Sequence, residues 1–148
     1  MQKKLYNSNM EFISQSLQDT EKFAKEFAER MQGKEIILLN GDLGAGKTTF
    51  TKALFLALGV KEIVTSPTFA FMKEYYGKYK LSHYDMYRVE SEDELWELGI
   101  SDNLFEEGVC VIEWNKFTEF PEDKKIIKID IIKIGDNSRK FAINEVKV

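Results

Sequence analysis

A single cysteine among 148 residues excludes an internal disulfide and a thiolate metal cage built by this chain. Cys110 lies in the apolar run GVCVIEW and reads as a buried, inert thiol. Long apolar runs are missing too, none approaching the roughly 20 residues of a spanning helix. The opening MQKKLYNSNMEFISQSL has no extended apolar core. No signal peptide and no membrane association are expected, and a cytoplasmic location is. Positive charge is scarce: 21 Lys and Arg stand against 25 Asp and Glu, for a net charge of −4. That balance provides no electrostatic footprint for wrapping nucleic acid. The three arginines, Arg30, Arg88 and Arg139, are a poor supply for clamping a phosphoryl group between donor and acceptor. His83 is the sole histidine, and on an alternating segment it reads as a packed residue. No repeat, low-complexity stretch or linker interrupts the chain, so residues 1–148 form one domain.

What is present alternates between strand and helix signals. NMEFISQS reads as a first edge strand. Asp19 or Thr20 is placed to cap a helix running to Met31, with Phe23, Phe27 and Met31 on one face and Gly33 as its stop. IILLN and VCVIEW are short continuous apolar runs, as strands buried on both faces require. KTTFTKALFLALG reads as a helix ended by Gly59, and KEIVTS as a further β-rich run. FAFMKEYY and YKLSHYDMY flank Gly77-Lys78 as a hairpin; its Tyr75, Tyr76, Tyr79, Tyr84 and Tyr87 read as core or partner surface. Ser91 with Glu94 forms a capping box before ELWELG. IIKIDIIKI and KFAINEVKV pair across GDNS as an antiparallel edge hairpin. The pattern predicts an α/β, P-loop NTPase-like three-layer fold, its mixed sheet parallel at the centre with antiparallel edge hairpins.

Chemistry concentrates in NGDLGAGKTTF, residues 40–50. Gly41, Gly46, Lys47 and Thr48 satisfy G-x-x-x-x-G-K-[ST], between an apolar run and an amphipathic helix. Glycine lets the backbone approach phosphate closely, and the helix start favours anions. The nucleotide-binding set is therefore Asp42, Leu43, Gly44, Ala45, Gly46, Lys47, Thr48 and Thr49, with Lys47 reaching the outer phosphates and the Thr48 hydroxyl a ligand for Mg²⁺. ATP and Mg²⁺ are the expected cofactors. A neighbouring strand must also supply an acid. Glu113 ends VCVIE and Asp85 sits in HYDMYR; both are candidates for metal and water, with the division between them open. In Thr65-Ser66-Pro67-Thr68-Phe69 a hydroxyl, that of Thr68 among them, can sense the γ-phosphate.

Together GDLGAGKTTF, TSPTF, HYDMYR and VIEW, in this order and in a chain of this size, resemble the TsaE (formerly YjeE) family, the bacterial ATPases of tRNA threonylcarbamoyladenosine biosynthesis. The resemblance runs from about Asp19 to the C-terminal hairpin. It implies weak ATP hydrolysis by a Mg-dependent site. It also implies action on the TsaB and TsaD proteins, which modify position 37 of tRNAs reading codons beginning with A, so that tRNA is met only through the complex. By position it implies catalytic roles for Lys47, Asp85 and Glu113, a metal set of Thr48, Asp85 and Glu113, a switch-like segment at Ser66 to Phe69, and an aromatic, Trp114, beside the nucleotide. Arg139 is placed near the nucleotide. Two other readings are a small-molecule kinase, whose turnover rises with an acceptor, and a nucleotide-gated binding module with negligible hydrolysis. A GTPase is disfavoured: Asn115-Lys116-Phe117-Thr118 has threonine where guanine recognition needs aspartate, and Asp85-Met86-Tyr87-Arg88 lacks the switch glycine.

Overall fold

The computed structural model describes residues 10–67 and 70–146. Their strands are β1 (Met10–Ser14), β2 (Glu35–Asn40), β3 (Met72–Tyr76), β4 (Lys80–Asp85), β5 (Val109–Glu113), β6 (Lys125–Lys133) and β7 (Arg139–Val146). The helices are α1 (Leu17–Arg30), α2 (Lys47–Ala57) and α3 (Glu92–Glu97), the last followed by a 3-10 turn at Ile100–Leu104. The strands form one sheet in the order β1-β7-β6-β2-β5-β4-β3. β6, β2, β5 and β4 run parallel, while β1–β7, β7–β6 and β3–β4 are antiparallel. This is the mixed α/β, P-loop NTPase-like architecture expected from the sequence.

Each face of the sheet has its own core. Ile37, Leu39, Val109 and Val111 pack with α1 and α2 through Phe23, Phe27, Phe50 and Leu54. Ile36, Cys110 and Ile112 point the other way, toward Leu95 and Leu104 of the α3 region. A strand covered on both sides has no polar face to show, which is why EIILLN and VCVIE read as unbroken apolar runs. Rings tie the first elements to the phosphate-loop helix. Phe12 of β1 stacks on Phe23 at 4.5 Å, and Phe23 meets Phe50 of α2 at 5.9 Å. Burial pushes the Cys110 thiol up to about 12, so the thiolate that would react is scarce at neutral pH. Of the hairpin tyrosines, Tyr75 and Tyr84 are core, whereas Tyr76 and Tyr87 are exposed.

Four local expectations are corrected. Helix α1 is capped by Ser16, not by Asp19 or Thr20: Ser16 Oγ accepts from Asp19 N–H at 3.1 Å, and Asp19 Oδ2 accepts from Gln15 N–H at 2.9 Å. Thr20 is buried and hydrogen-bonds with Ser14 Oγ at 2.7 Å. Residues 61–66, KEIVTS, form no strand. β-propensity needs a neighbour to pair with, and β3 already takes the place beside β4. Ser91 caps α3 by position, but its side chain makes no capping bond; the carboxylate of Glu92 instead receives the Thr118 N–H and hydroxyl. Finally, the C-terminal hairpin is not the margin, because β1 pairs along the outside of β7.

The central strand begins at a turn held by its own first residue. Glu35 is fully buried, and its carboxylate accepts from the backbone N–H groups of Gln32, Gly33 and Lys34 at 2.8, 2.9 and 3.1 Å. Glu35→Ala deprives three amides of their acceptor and is expected to lower unfolding free energy by about 1–3 kcal/mol. Urea denaturation measures this; an unmoved midpoint would mean that the turn stands without the carboxylate.

Candidate active site at the phosphate loop

Parallel pairing brings three strand ends to one edge. Leu39 of β2 is in register with Glu113 of β5, and Glu113 with Asp85 of β4. Register partners in a parallel sheet project to the same face. Leu39 belongs to the core beneath α2, so both carboxylates lie on the side where the phosphate loop joins that helix. The carboxyl ends of parallel strands are where α/β sheets place ligands.

Between β2 and α2, residues 41–46 make the loop. A Cβ on Gly41 would sit 2.7 Å from the Ile131 carbonyl of β6, so only glycine fits against that strand. Gly46, the N-cap of α2, has φ +111°, a left-handed conformation that favours glycine. Among the described residues no side chain caps α2, and no acidic residue occupies its first turn. Its N-terminal N–H groups and dipole thus face the loop uncompensated, which favours an anion. The Ala45 carbonyl accepts from Arg139 Nε at 2.8 Å, and Nη1 of the same guanidinium donates to the carbonyls of Gly135 and Ser138 at 3.2 and 3.1 Å. Arg139 therefore pins the loop to the β6–β7 turn.

Lys47 is buried, with 6% of its surface exposed. Nζ donates to the Gly41 carbonyl and lies 3.6 Å from the centroid of Trp114. Burial lowers the affinity of this amine for its proton, and the charges of Glu113, Asp85 and Asp42 act in the opposite sense. Trp114 follows β5 with φ +56°, an uncommon conformation for a bulky residue and a mark of constrained backbone. Its ring also meets Tyr87 edge-on at 5.0 Å.

The two acids are held differently. Asp85 Oδ2 accepts from Ser66 Oγ at 3.1 Å and Oδ1 from Tyr87 N–H at 3.0 Å. Glu113 Oε2 lies 2.6 Å from Nε2 of His83, both side chains being buried. Thr48 occupies the second position of α2, half-buried, and Thr49 the third, exposed. Thr68 lies outside the described residues. Asp42, Leu43 and Gly44 are exposed at the loop tip. Among the described residues no group of three His, Cys, Asp or Glu side chains is gathered to hold a metal ion alone.

Beside Gly46 and Thr49 opens a cleft of about 400 Å³, walled by Gln15 of the β1–α1 turn, Gln18 in the first turn of α1, and Asn137 and Arg139. Sequence reasoning passed over that turn, because a polar SQSLQD stretch is indistinguishable from an ordinary helix start. It also took His83 as packing alone. Asn115, in the string nearest a guanine-recognition motif, commits its side-chain amide to Phe117, accepting from its N–H at 2.9 Å and donating to its carbonyl at 3.0 Å.

Fold, glycine loop and strand-end acids define a P-loop NTPase-like protein. Residues 14–141 match the profile of the family described as threonylcarbamoyl adenosine biosynthesis protein TsaE. The tRNA threonylcarbamoyladenosine biosynthesis protein TsaE of Aquifex aeolicus is 43% identical over 136 residues, covering 90% of this chain and 94% of that protein. Its counterpart in Bacillus subtilis is 39% identical over 130 residues, 87% and 81% of the two chains. A crystal structure of Bacillus subtilis YdiB superposes with a TM-score of 0.69 at 32% identity, covering 94% of this chain and 86% of that one. The chain belongs to the TsaE family of tRNA threonylcarbamoyladenosine biosynthesis. No helix among the described residues is long and apolar enough to cross a membrane.

The ammonium–indole contact has a direct readout. In a Trp96→Phe background, where Trp114 is the only tryptophan left, Lys47→Ala is expected to raise acrylamide quenching, since the cation–π contact (about 0.5–2 kcal/mol) no longer holds the ring. Unchanged quenching would show that Tyr87 and the backbone suffice.

Proposed function

We propose that this chain is a Mg-dependent ATPase that serves threonylcarbamoyladenosine modification of tRNA by binding and hydrolysing ATP on a TsaB–TsaD transferase complex in the cytoplasm. It contacts tRNA only through that complex. The observation that carries the reading is the convergence of Lys47, Asp85 and Glu113 on one edge of the sheet, beside an uncapped helix N-terminus. In this reading Lys47 moves from the Trp114 ring to the outer phosphates, and the α2 amides take up the remaining oxygens. Adenosine occupies the cleft between the β1–α1 and β6–β7 turns, where Gln15, Gln18 and Asn137 offer donors and acceptors.

Thr48 and Asp85 are hard oxygen donors of the kind Mg²⁺ takes, and they fit an ion whose other positions go to phosphate and water. Bound there, the ion would neutralise charge developing on the phosphates. Asp85 is held through both oxygens by Ser66 and Tyr87, a fixed post suited to a ligand role. Glu113 orients the attacking water and takes its proton. The low net charge and the scarcity of arginine fit a switch read by a protein partner better than transfer to a small acceptor.

Calorimetry and a phosphate-release assay test this. Glu113→Ala is expected to keep Mg-ATP binding while its turnover falls by about 10²–10⁴-fold, and Lys47→Ala to weaken binding itself. Hydrolysis by Glu113→Ala at the wild-type rate in the partner complex would remove the role given to Glu113. Excess chelator is expected to abolish turnover, and persistence there would contradict the metal assignment. Stimulation by a small-molecule acceptor rather than by TsaB–TsaD would favour a kinase.

A further inference from the structure

We propose that His83 is a positioning residue for Glu113: a neutral imidazole donating Nε2–H to Oε2, it fixes the carboxylate so that the other oxygen addresses the water. The role rests on the functional reading above. Its basis is geometric. His83 is fully buried and Glu113 is 3% exposed, and their 2.6 Å separation is a direct, short hydrogen bond. His83 stands two residues before Asp85 on β4 and in register with Val111, two residues before Glu113 on β5. The ring thus lies one strand over and one pleat behind the carboxylate it meets. Phe55 of α2 packs edge-on against the imidazole at 6.0 Å, which restricts its rotation.

The other nitrogen identifies the tautomer. Nδ1 is buried and has no hydrogen-bond partner among the described residues. An imidazolium, or the opposite tautomer, would place an N–H donor there with nothing to receive it. A bare Nδ1 lone pair is the lesser cost, so the proton belongs on Nε2, facing Glu113. Any buried imidazole N–H needs an acceptor; here that acceptor is the carboxylate that ends β5 opposite Asp85, where a fixed orientation has a use. Orienting partners behind functional ligands commonly influence activity by about 10–100-fold.

His83 is the only histidine in the chain, so its ring nitrogens can be observed without assignment ambiguity. Long-range ¹H–¹⁵N spectra of the nucleotide-free protein are expected to show one protonated nitrogen, Nε2, and one bare nitrogen, Nδ1. Glu113→Gln should shift the Nε2 signal. A protonated Nδ1 would overturn the proposal, and this measurement needs no variant at position 83. In the ATPase assay, His83→Leu is expected to reduce kcat by about 10–100-fold with nucleotide affinity little changed. His83→Gln, whose amide can place an N–H where Nε2 lies, should restore most of the loss. Combined with Glu113→Gln, His83→Leu should add nothing further, since the two act as one unit. Full activity of His83→Leu, an equal defect in His83→Gln, or independent losses in the double variant would each overturn this role alone. A wild-type protein that fails to hydrolyse ATP would overturn the functional reading and this role with it.

Discussion

A loop that turns its amide hydrogens inward to a polyanion must turn carbonyls outward, and buried carbonyls need donors. Everything at this site depends on where those donors come from. The Ala45 carbonyl is met by Arg139 from β7 and the Gly41 carbonyl by the ammonium of Lys47. The first donor is permanent scaffolding, already bound to the turn from which it comes. The second belongs to the residue that, in the proposed function, also attends the phosphates. The loop is therefore held at its far end by β7 and at its near end by its own lysine. A polyphosphate arriving there would exchange one partner of Lys47 for another instead of building a site from disorder.

The same constraint explains the topology around the loop. Gly41 approaches the Ile131 carbonyl so closely that no side chain fits, and Ile131 is in β6, directly beside β2. The C-terminal hairpin thus serves two ends: β6 presses on the back of the loop, and β7 delivers Arg139. With β1 paired to the outside of β7, that edge is covered as well as stiffened.

This division also accounts for what could be read without coordinates. The glycine–lysine–threonine spacing encodes a local backbone shape, and the burial of β2 and β5 on both faces is written as unbroken apolar runs, so loop, central strands and strand-end acids were all legible. KEIVTS was misread because β-branched residues record a propensity, whereas pairing depends on which strand holds the neighbouring position. The Ser16 cap was missed by a few residues, the usual scale for a helix boundary. Arg139 and Ala45 lie 94 positions apart, and His83 and Glu113 lie 30 apart. Such contacts are set by sheet order and register, quantities that no periodicity within either segment contains. The resemblance to the TsaE family placed Trp114 beside the site, but the left-handed backbone that turns its ring over Lys47 has no signature in composition.

Register has a further consequence for the two acids. Asp85 and Glu113 are equivalent in the sheet, each the last residue of its strand and directly opposite the other. Position cannot give them different work; their surroundings can. Asp85 is held by Ser66, from the irregular connection that precedes β3, and by the backbone of Tyr87. Glu113 is held from below by a histidine in the sheet itself, beneath α2 and shielded from solvent. One carboxylate is thereby tied to an irregular connecting segment, the other to a strand within the core. In the proposed function a carboxylate fixed through both oxygens suits an ion ligand, and one held through a single oxygen leaves the other to face a water. The roles assigned to them follow from that asymmetry of support, not from any difference between aspartate and glutamate.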